Sequence, residues 1–403
     1  MARQLLLVDA LWATAAALGA TFADAYLWRL GSGWAAISVF NLWQFAAMAA
    51  AFPLAGYLAK RFDRVLPLRL AAAVVAGAFA TLLLLGPAAP RFIALLGVLL
   101  GAGWGLYWLA FFVLGFDLTD RDNRDWFTGS AGVLEAAAAL AVPPLAGVLA
   151  GRPGGFRLLF GAALAVFAAV LLVSVRLSAP ARRFVADGPK IPAPGHPTAP
   201  GWWGVVAADA ALGLRDGVYL FAPALLVFTV SGNPLELGAF VAACQAASLV
   251  ANAAAARFGR PRLRRRLVLA GAALGLAAAA LLFEGTGIDW LWAFGVLAAA
   301  AQPLLKVPLE ACTLDVIARG ADPGQWRVER TVSKEIAVNL ARVCSVGVLA
   351  LAVGRLGVPT VRVCLMLAAL APLGAWYGLW RWVPVEGVHG DGRRAVADGP
   401  PSI

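Results

Sequence analysis

Gly56-Tyr57-Leu58-Ala59-Lys60-Arg61-Phe62-Asp63-Arg64 lies between two apolar runs, and it returns in altered form as Asn252-Ala253-Ala254-Ala255-Ala256-Arg257-Phe258-Gly259-Arg260. Arg-Phe-x-Arg occupies the same place in both copies. Each copy closes the second apolar run of its half and leads into the third. A basic, glycine-containing turn has no place in hydrocarbon, so each copy is read as a tight loop on a membrane face. The two copies mark a duplicated membrane protein with both loops on the same side.

Composition agrees. Hydrophobic residues make up 62% of the chain and charged residues 14%, with a mean hydropathy of +0.80. A soluble domain is about half apolar and a quarter charged. One span takes roughly twenty apolar residues, so the chain has room for about twelve spans and for no sizeable soluble domain. The net charge of +11 would suit nucleic acid if it were clustered. Most Lys and Arg instead lie in or beside the loops of one side. That asymmetry places both termini in the cytoplasm of a multi-pass protein of the cytoplasmic (inner) membrane, with the lipid bilayer rather than nucleic acid as its partner. The N-terminus, with Arg3 before an apolar run, faintly resembles a cleavable signal, but the run is long and flows into the polytopic pattern. Cys244, Cys312, Cys344 and Cys364 fall in apolar runs without metal-like spacing and read as buried free thiols. No metal site and no cofactor is expected.

The apolar runs predict spans over 5–28, 33–58, 68–86, 91–116, 127–150 and 156–177, then over 203–230, 235–256, 267–284, 290–316, 331–353 and 358–382. They do not alternate as the strands of a β-barrel would. The fold class is therefore all-α integral membrane, with twelve transmembrane helices in two pseudo-symmetric six-helix halves. Residues 1–177 form the first bundle, 178–202 a Pro/Gly/Ala-rich cytoplasmic linker, 203–382 the second bundle and 383–403 a disordered cytoplasmic tail. The outer connections at 31–33, 86–90, 232–234 and 285–289 are short, and Trp28, Trp34, Trp290, Trp292, Trp380 and Trp382 stand at span ends, where such rings anchor. His196 and His389 lie in linker and tail, so neither is an intramembrane proton carrier.

Two further echoes support the duplication. Gly115-Phe116-Asp117-Leu118 leaves the fourth span as Thr313-Leu314-Asp315-Val316 leaves the tenth. Glu135 in the fifth span corresponds to Glu335 in the eleventh.

This organisation resembles the major facilitator superfamily, whose loop motif runs Gly-x-Leu-x-Asp-Arg-x-Gly-Arg. Gly56, Leu58, Arg61 and Arg64 match it, while Lys60 stands at the Asp position and Asp63 at the second Gly position. Tyr26-Leu27-Trp28-Arg29, residues 120–125 and Lys334-Glu335-Ile336-Ala337-Val338-Asn339-Leu340-Ala341-Arg342 are similar to an uncharacterised bacterial branch of these transporters. The resemblance implies a central cavity lined by spans one, four, seven and ten, alternating access by rocking of the halves, and a monomer.

Ionisable groups within spans cost roughly 2.5–3.5 kcal/mol each on insertion scales, so each needs a reason. Arg215 and Asp216 fall near mid-depth of span seven. Lys306 and Glu310 lie one turn apart on span ten, with Gln302 on the same cavity helix; they could pair with each other or meet a substrate. Asp24 lies near the outer end of span one, and Glu135 two turns into span five. Trp104, Tyr107 and Trp108 form an aromatic stripe on span four, which serves packing or a stacking platform. These ten residues are the candidates for substrate binding and proton coupling. Asn41, Gln44, Gln245 and Asn252 read as interhelical contacts.

The gating candidates are Lys60, Arg61, Asp63, Arg64, Asp117, Arg257, Arg260, Asp315, Glu335, Asn339 and Arg342. A carboxylate at a helix C-terminus needs a cation to answer it. The expected latches are therefore Asp117 with Arg61 or Arg64, and Asp315 with Arg257 or Arg260. Glu335, Asn339 and Arg342 form one stripe on span eleven. Arg262-Leu263-Arg264-Arg265-Arg266 is assigned to anionic headgroups.

The sequence therefore points to a secondary transporter of a small solute, coupled to protons through membrane carboxylates. Asp216 leads the coupling candidates, followed by Glu310, Asp24 and Glu135. Acidic and basic groups together favour a polar, zwitterionic or anionic solute. A drug or metabolite efflux antiporter, or a non-transporting sensor descended from a transporter, is the alternative. Neither a phosphate-binding loop for ATP nor a clustered catalytic site for a membrane enzyme is present in the sequence.

Overall fold

The computed structural model describes residues 1–119, 123–177, 201–258, 261–285, 287–318 and 327–382. The 120–122 part of the stretch at 120–125, Arg260, most of the linker, both histidines and the tail lie outside the described residues.

The described chain is helical and without strands. The first half holds α1 (Ala2–Arg29), α2 (Trp34–Arg61), α3 (Leu66–Leu85), α4 (Ile93–Asp117), α5 (Arg124–Ala150) and α6 (Gly155–Val175). The second holds α7 (Trp202–Tyr219), α8 (Ala222–Ser231), α9 (Pro234–Phe258), α10 (Arg264–Glu284), α11 (Ile288–Ala318), α12 (Arg327–Leu356), α13 (Thr360–Ala368) and α14 (Ala371–Trp382). Among the described residues, eleven helical runs are long and apolar enough to cross a membrane. The run Leu66–Asp117 contains both α3 and α4, joined by the 3-10 segment Gly86–Phe92. At 20 and 25 residues each is long enough to span, and they pack against one another, so that run crosses twice. Twelve crossings result.

Two expected spans are broken helices. Span seven is α7 followed by α8, and span twelve is α13 followed by α14. Pro223 and Pro372 stand at the starts of the second pieces, where a missing N–H costs no helical bond. Pro53, Pro143, Pro144, Pro303 and Pro308 are instead carried inside helices, as neighbouring helices permit in a membrane.

Packing has a reason in residue size. A Cβ on Gly101 of α4 would stand 1.9 Å from the Gln44 carbonyl oxygen of α2, so only glycine lets these backbones approach so closely. Aromatic side chains fill the rest of the first half: Trp12, Phe22, Phe79, Phe160 and Phe167 are all buried. The second half closes around Trp202, Val205, Val268, Leu305 and Leu379. Leu84, Phe283 and Leu356 project outward, as hydrocarbon-facing side chains do. Of the thiols, Cys364 is buried, Cys244 and Cys312 are half-buried and Cys344 is exposed, so burial expected for all four holds fully for one.

The halves meet along two seams, α2 against α12 and α5 against α9. At the second seam a Cβ on Gly238 would stand 2.2 Å from the Pro143 carbonyl oxygen.

Candidate functional site

Asp9, one of the few acidic residues of α1, is 1% exposed. The Tyr107 hydroxyl of α4 donates to its Oδ1. Trp12, one turn along α1, stacks on the Tyr107 ring at 3.8 Å with the planes 2° apart, and Trp104 meets Trp12 edge-on. This packing corrects the aromatic platform at its centre: Tyr107 is fully buried, holding Asp9 rather than facing a cavity. Trp108 is half-buried and stacks on Phe112. The other carboxyl oxygen of Asp9, Oδ2, has no hydrogen-bond donor. Glu135 of α5 reaches hydrogen-bonding range of Asp9, and Lys306 of α11, from the other half, lies near enough to act on the Glu135 charge. Lys306 also pairs with Glu310 at 3.7 Å, both side chains about half exposed.

The second half repeats the acidic arrangement with a difference. Asp209 of α7 is buried and accepts from the Thr313 hydroxyl at 3.4 Å. Lys334 pairs with Glu335 at 3.2 Å on α12, and both act on Asp209, as does Glu310. Asp9 to Asp209 is the same spacing as Glu135 to Glu335. Sequence reasoning named the glutamates but missed both aspartates. The shared spacing was the signal that would have found them.

Asp216, ranked first among the coupling candidates, is enclosed by partners. Arg215 lies 3.4 Å away, Arg342 3.7 Å away, and the Gln302 amide donates to both of its oxygens at 3.1 and 3.3 Å. Adjacent Arg215 and Asp216 do touch, although helix geometry does not require it. Arg215 also donates to the Ala298 carbonyl at 2.9 Å and covers the Tyr219 ring. Arg342 donates to Asn339, whose own amide bonds the Glu335 carbonyl, and its guanidinium lies 5.5 Å from the Phe45 ring of α2. The stripe on α12 therefore ties α7 to the opposite half.

Asp24 accepts from the Asn41 amide at 2.9 Å, well away from Asp9, and Arg29 lies over Phe156 instead of answering it. Asn41 is the interhelical contact expected of it.

At the basic loop, Lys60 pairs with Glu329 of α12, across the halves. Arg61 covers Tyr57, and Asp63 accepts from the Val65 amide and lies 3.6 Å from Arg69. Arg64 pairs with Asp117. Asp315 pairs with Arg264, which was not among its expected partners Arg257 and Arg260, the latter lying outside the described residues. The 3-10 turn Pro261–Leu263 separates the second Arg-Phe-x-Arg from α10, so the arginine that begins α10 reaches Asp315. Arg257 is exposed at the end of α9. Arg264 is thus taken from the basic run that had been assigned wholly to headgroups. No group of three His, Cys, Asp or Glu residues placed to hold a metal occurs among the described residues.

Comparison with known proteins fits this geometry. Residues 2–321 match the Major Facilitator Superfamily. The uncharacterized protein YqgE of Bacillus subtilis is 32% identical over 347 residues, covering 85% of this chain and 80% of that protein. A bacterial homologue of the iron transporter ferroportin, crystallised in an inward-facing state, superposes with a TM-score of 0.70 at 14% identity, over 95% of this chain and 98% of that one. A D-xylose-proton symporter superposes with a TM-score of 0.68 at 15% identity, over 95% and 97%. At such identities the two structures speak for the fold alone.

Proposed function

We propose that this chain, which belongs to the Major Facilitator Superfamily of membrane transporters, is a secondary active transporter that moves a small polar solute by alternating access, coupled to protons. It is placed in the cytoplasmic membrane, with both termini inside, and works as a monomer. One observation carries the reading: ionisable side chains from both halves come within electrostatic reach of each other inside the helical bundle, Glu135 of α5 near Lys306 of α11, which in turn pairs with Glu310. Each costs roughly 2.5–3.5 kcal/mol to place in a membrane, a cost that packing alone does not require.

Lys306 and Glu310 supply one cation and one anion on a single face, half exposed, which suits a zwitterionic or anionic solute with polar substituents. Trp108 offers a half-buried ring from α4. Asp216, Arg215, Gln302 and Arg342 form a separate polar scaffold of α7, α11 and α12. Rocking about the α2–α12 and α5–α9 seams would expose the centre to one side at a time. The Lys60–Glu329 pair joins the two halves at the cytoplasmic side and acts as an inner latch, with Arg64–Asp117 and Arg264–Asp315 bracing the helix ends behind it.

The test is solute counterflow in proteoliposomes across a panel of amino acids, organic acids, sugars and nucleosides, run beside thermal stabilisation by the same panel. Exchange of a solute that also raises the melting temperature supports transport. Stabilisation by a solute that is never exchanged contradicts it and favours a sensor.

A further inference from the structure

We propose that Asp9 and Glu135 together hold a single proton, and that the Lys306 ammonium of the opposite half is its competitor. The inference deepens the transport reading and rests on it only for the role of that proton in the cycle.

The argument starts from an acceptor with no donor. Oδ2 of Asp9 is buried, the residue is 1% exposed, and no group among the described residues donates to it. An acceptor left so in a dry interior keeps its desolvation cost without a hydrogen bond to offset it. The group beside it is another carboxyl, that of Glu135, which has a hydrogen to give only when it carries a proton. One proton between the two carboxyls satisfies Oδ2 and halves the charge of the pair. Tyr107 donates to Oδ1 and, pinned by Trp12, holds the carboxyl in that orientation.

The other half shows what happens when a cation is supplied locally. Asp209 and Glu335 stand at the corresponding positions, but Lys334, next to Glu335 on α12, pairs with Glu335 and acts on Asp209 as well. That cluster carries its neutralising charge permanently. Among the described residues the first half has none of its own near the pair. From α4 only Tyr107 faces it, while Asp117 closes the far end of that helix. On α6 the charged residues Arg157 and Arg176 lie at the ends. On α9 Glu236 and Arg257 do, and on α2 Lys60 and Arg61. Arg3 is in the first turn of α1, and Asp24 and Arg29 are near its far end. The remaining neighbour is Lys306, with Glu310 behind it on α11.

Lys306 belongs to the half that moves. When the halves bring it to Glu135, ammonium answers the negative charge and the proton is released. When they part, the pair retains its proton, which arrives from water in the cleft. Proton occupancy and the distance between the halves thereby become one equilibrium.

Infrared difference spectroscopy of the purified full chain in lipid nanodiscs, stepped in pH without solute, tests this. Wild type should show a titrating carbonyl stretch of protonated carboxyl that disappears in both Asp9→Asn and Glu135→Gln. It should survive in Asp209→Asn. In Lys306→Ala the band should persist to higher pH, since the competitor is gone. A band unchanged in both Glu135→Gln and Asp9→Asn, or lost equally in Asp209→Asn, overturns the proposal. Glu135 is only half-buried, so Glu135→Gln decides the matter should Asp9→Asn not fold. Because no solute is added, a negative result here leaves the counterflow test of transport standing, and the reverse also holds.

Discussion

Lys60, in the last turn of α2, is paired with Glu329, in the first turn of α12, so an ion pair joins the two halves. A charge-assisted hydrogen bond in a mostly buried setting contributes about 1.5–3 kcal/mol. As a latch it would bias the two cavity orientations roughly ten- to hundredfold. Lys60→Glu should therefore raise the labelling of cysteines introduced along the cytoplasmic end of the cavity by about that factor. The exchange Lys60→Glu with Glu329→Lys should restore the wild-type rate. Labelling that the single variant leaves unchanged would remove the latch from the account.

Arg64–Asp117 and Arg264–Asp315 occupy equivalent places but differ in burial. The Asp117 side chain is 14% exposed and that of Asp315 47%. Removing one partner of a buried pair costs about 3–5 kcal/mol, whereas an exposed pair is worth about 1 kcal/mol or less. Asp117→Asn should lower the detergent melting temperature clearly more than Asp315→Asn. Equal effects would mean that burial does not set the strength of these braces.

Most of the fold was legible because hydrocarbon imposes a strong rule: apolar runs of spanning length must be helices, and basic turns must leave the membrane. The repeat of Arg-Phe-x-Arg then gave the pseudo-symmetry. The site was less legible. Which ionisable group faces which depends on helix rotation, and periodicity in runs apolar on all sides does not fix that. For Tyr107 the sequence left packing and a stacking platform both open, and its buried ring, stacked on Trp12, shows packing. Asp9, so near the start of the first span, carried no local sign that it was buried. Asp315 is met by Arg264, the arginine that begins α10 after the 3-10 turn Pro261–Leu263, and composition does not reveal such a turn.

Close backbone approach makes a sharp pair of substitutions. Gly101→Leu would drive a side chain into the α2 backbone, and overpacking of this kind costs about 1–3 kcal/mol or more. Little folded protein should be recovered. Gly77→Ala, a helical glycine whose Cβ would meet nothing within 4 Å, should be neutral or stabilising by up to about 1 kcal/mol. Size-exclusion profiles and melting curves of the two variants give the comparison.

Asp216 balances two guanidiniums, one of them Arg215 with a side chain only 3% exposed. Asp216→Asn leaves that charge without an anion and should cost about 3 kcal/mol of stability. Pairing it with Arg215→Gln should recover part of the loss. Melting curves of the two single variants and the double variant measure the coupling, and strict additivity would show that the pair is not the reason for the cost.

The most direct test of proton-coupled transport is the luminal pH of proteoliposomes when a transported solute is added, for wild type and Glu135→Gln. The account expects a solute-driven pH change with wild type that falls at least tenfold in the variant while solute counterflow continues. Proton movement that survives Glu135→Gln undiminished, or a wild type that exchanges solute without moving protons, would contradict it.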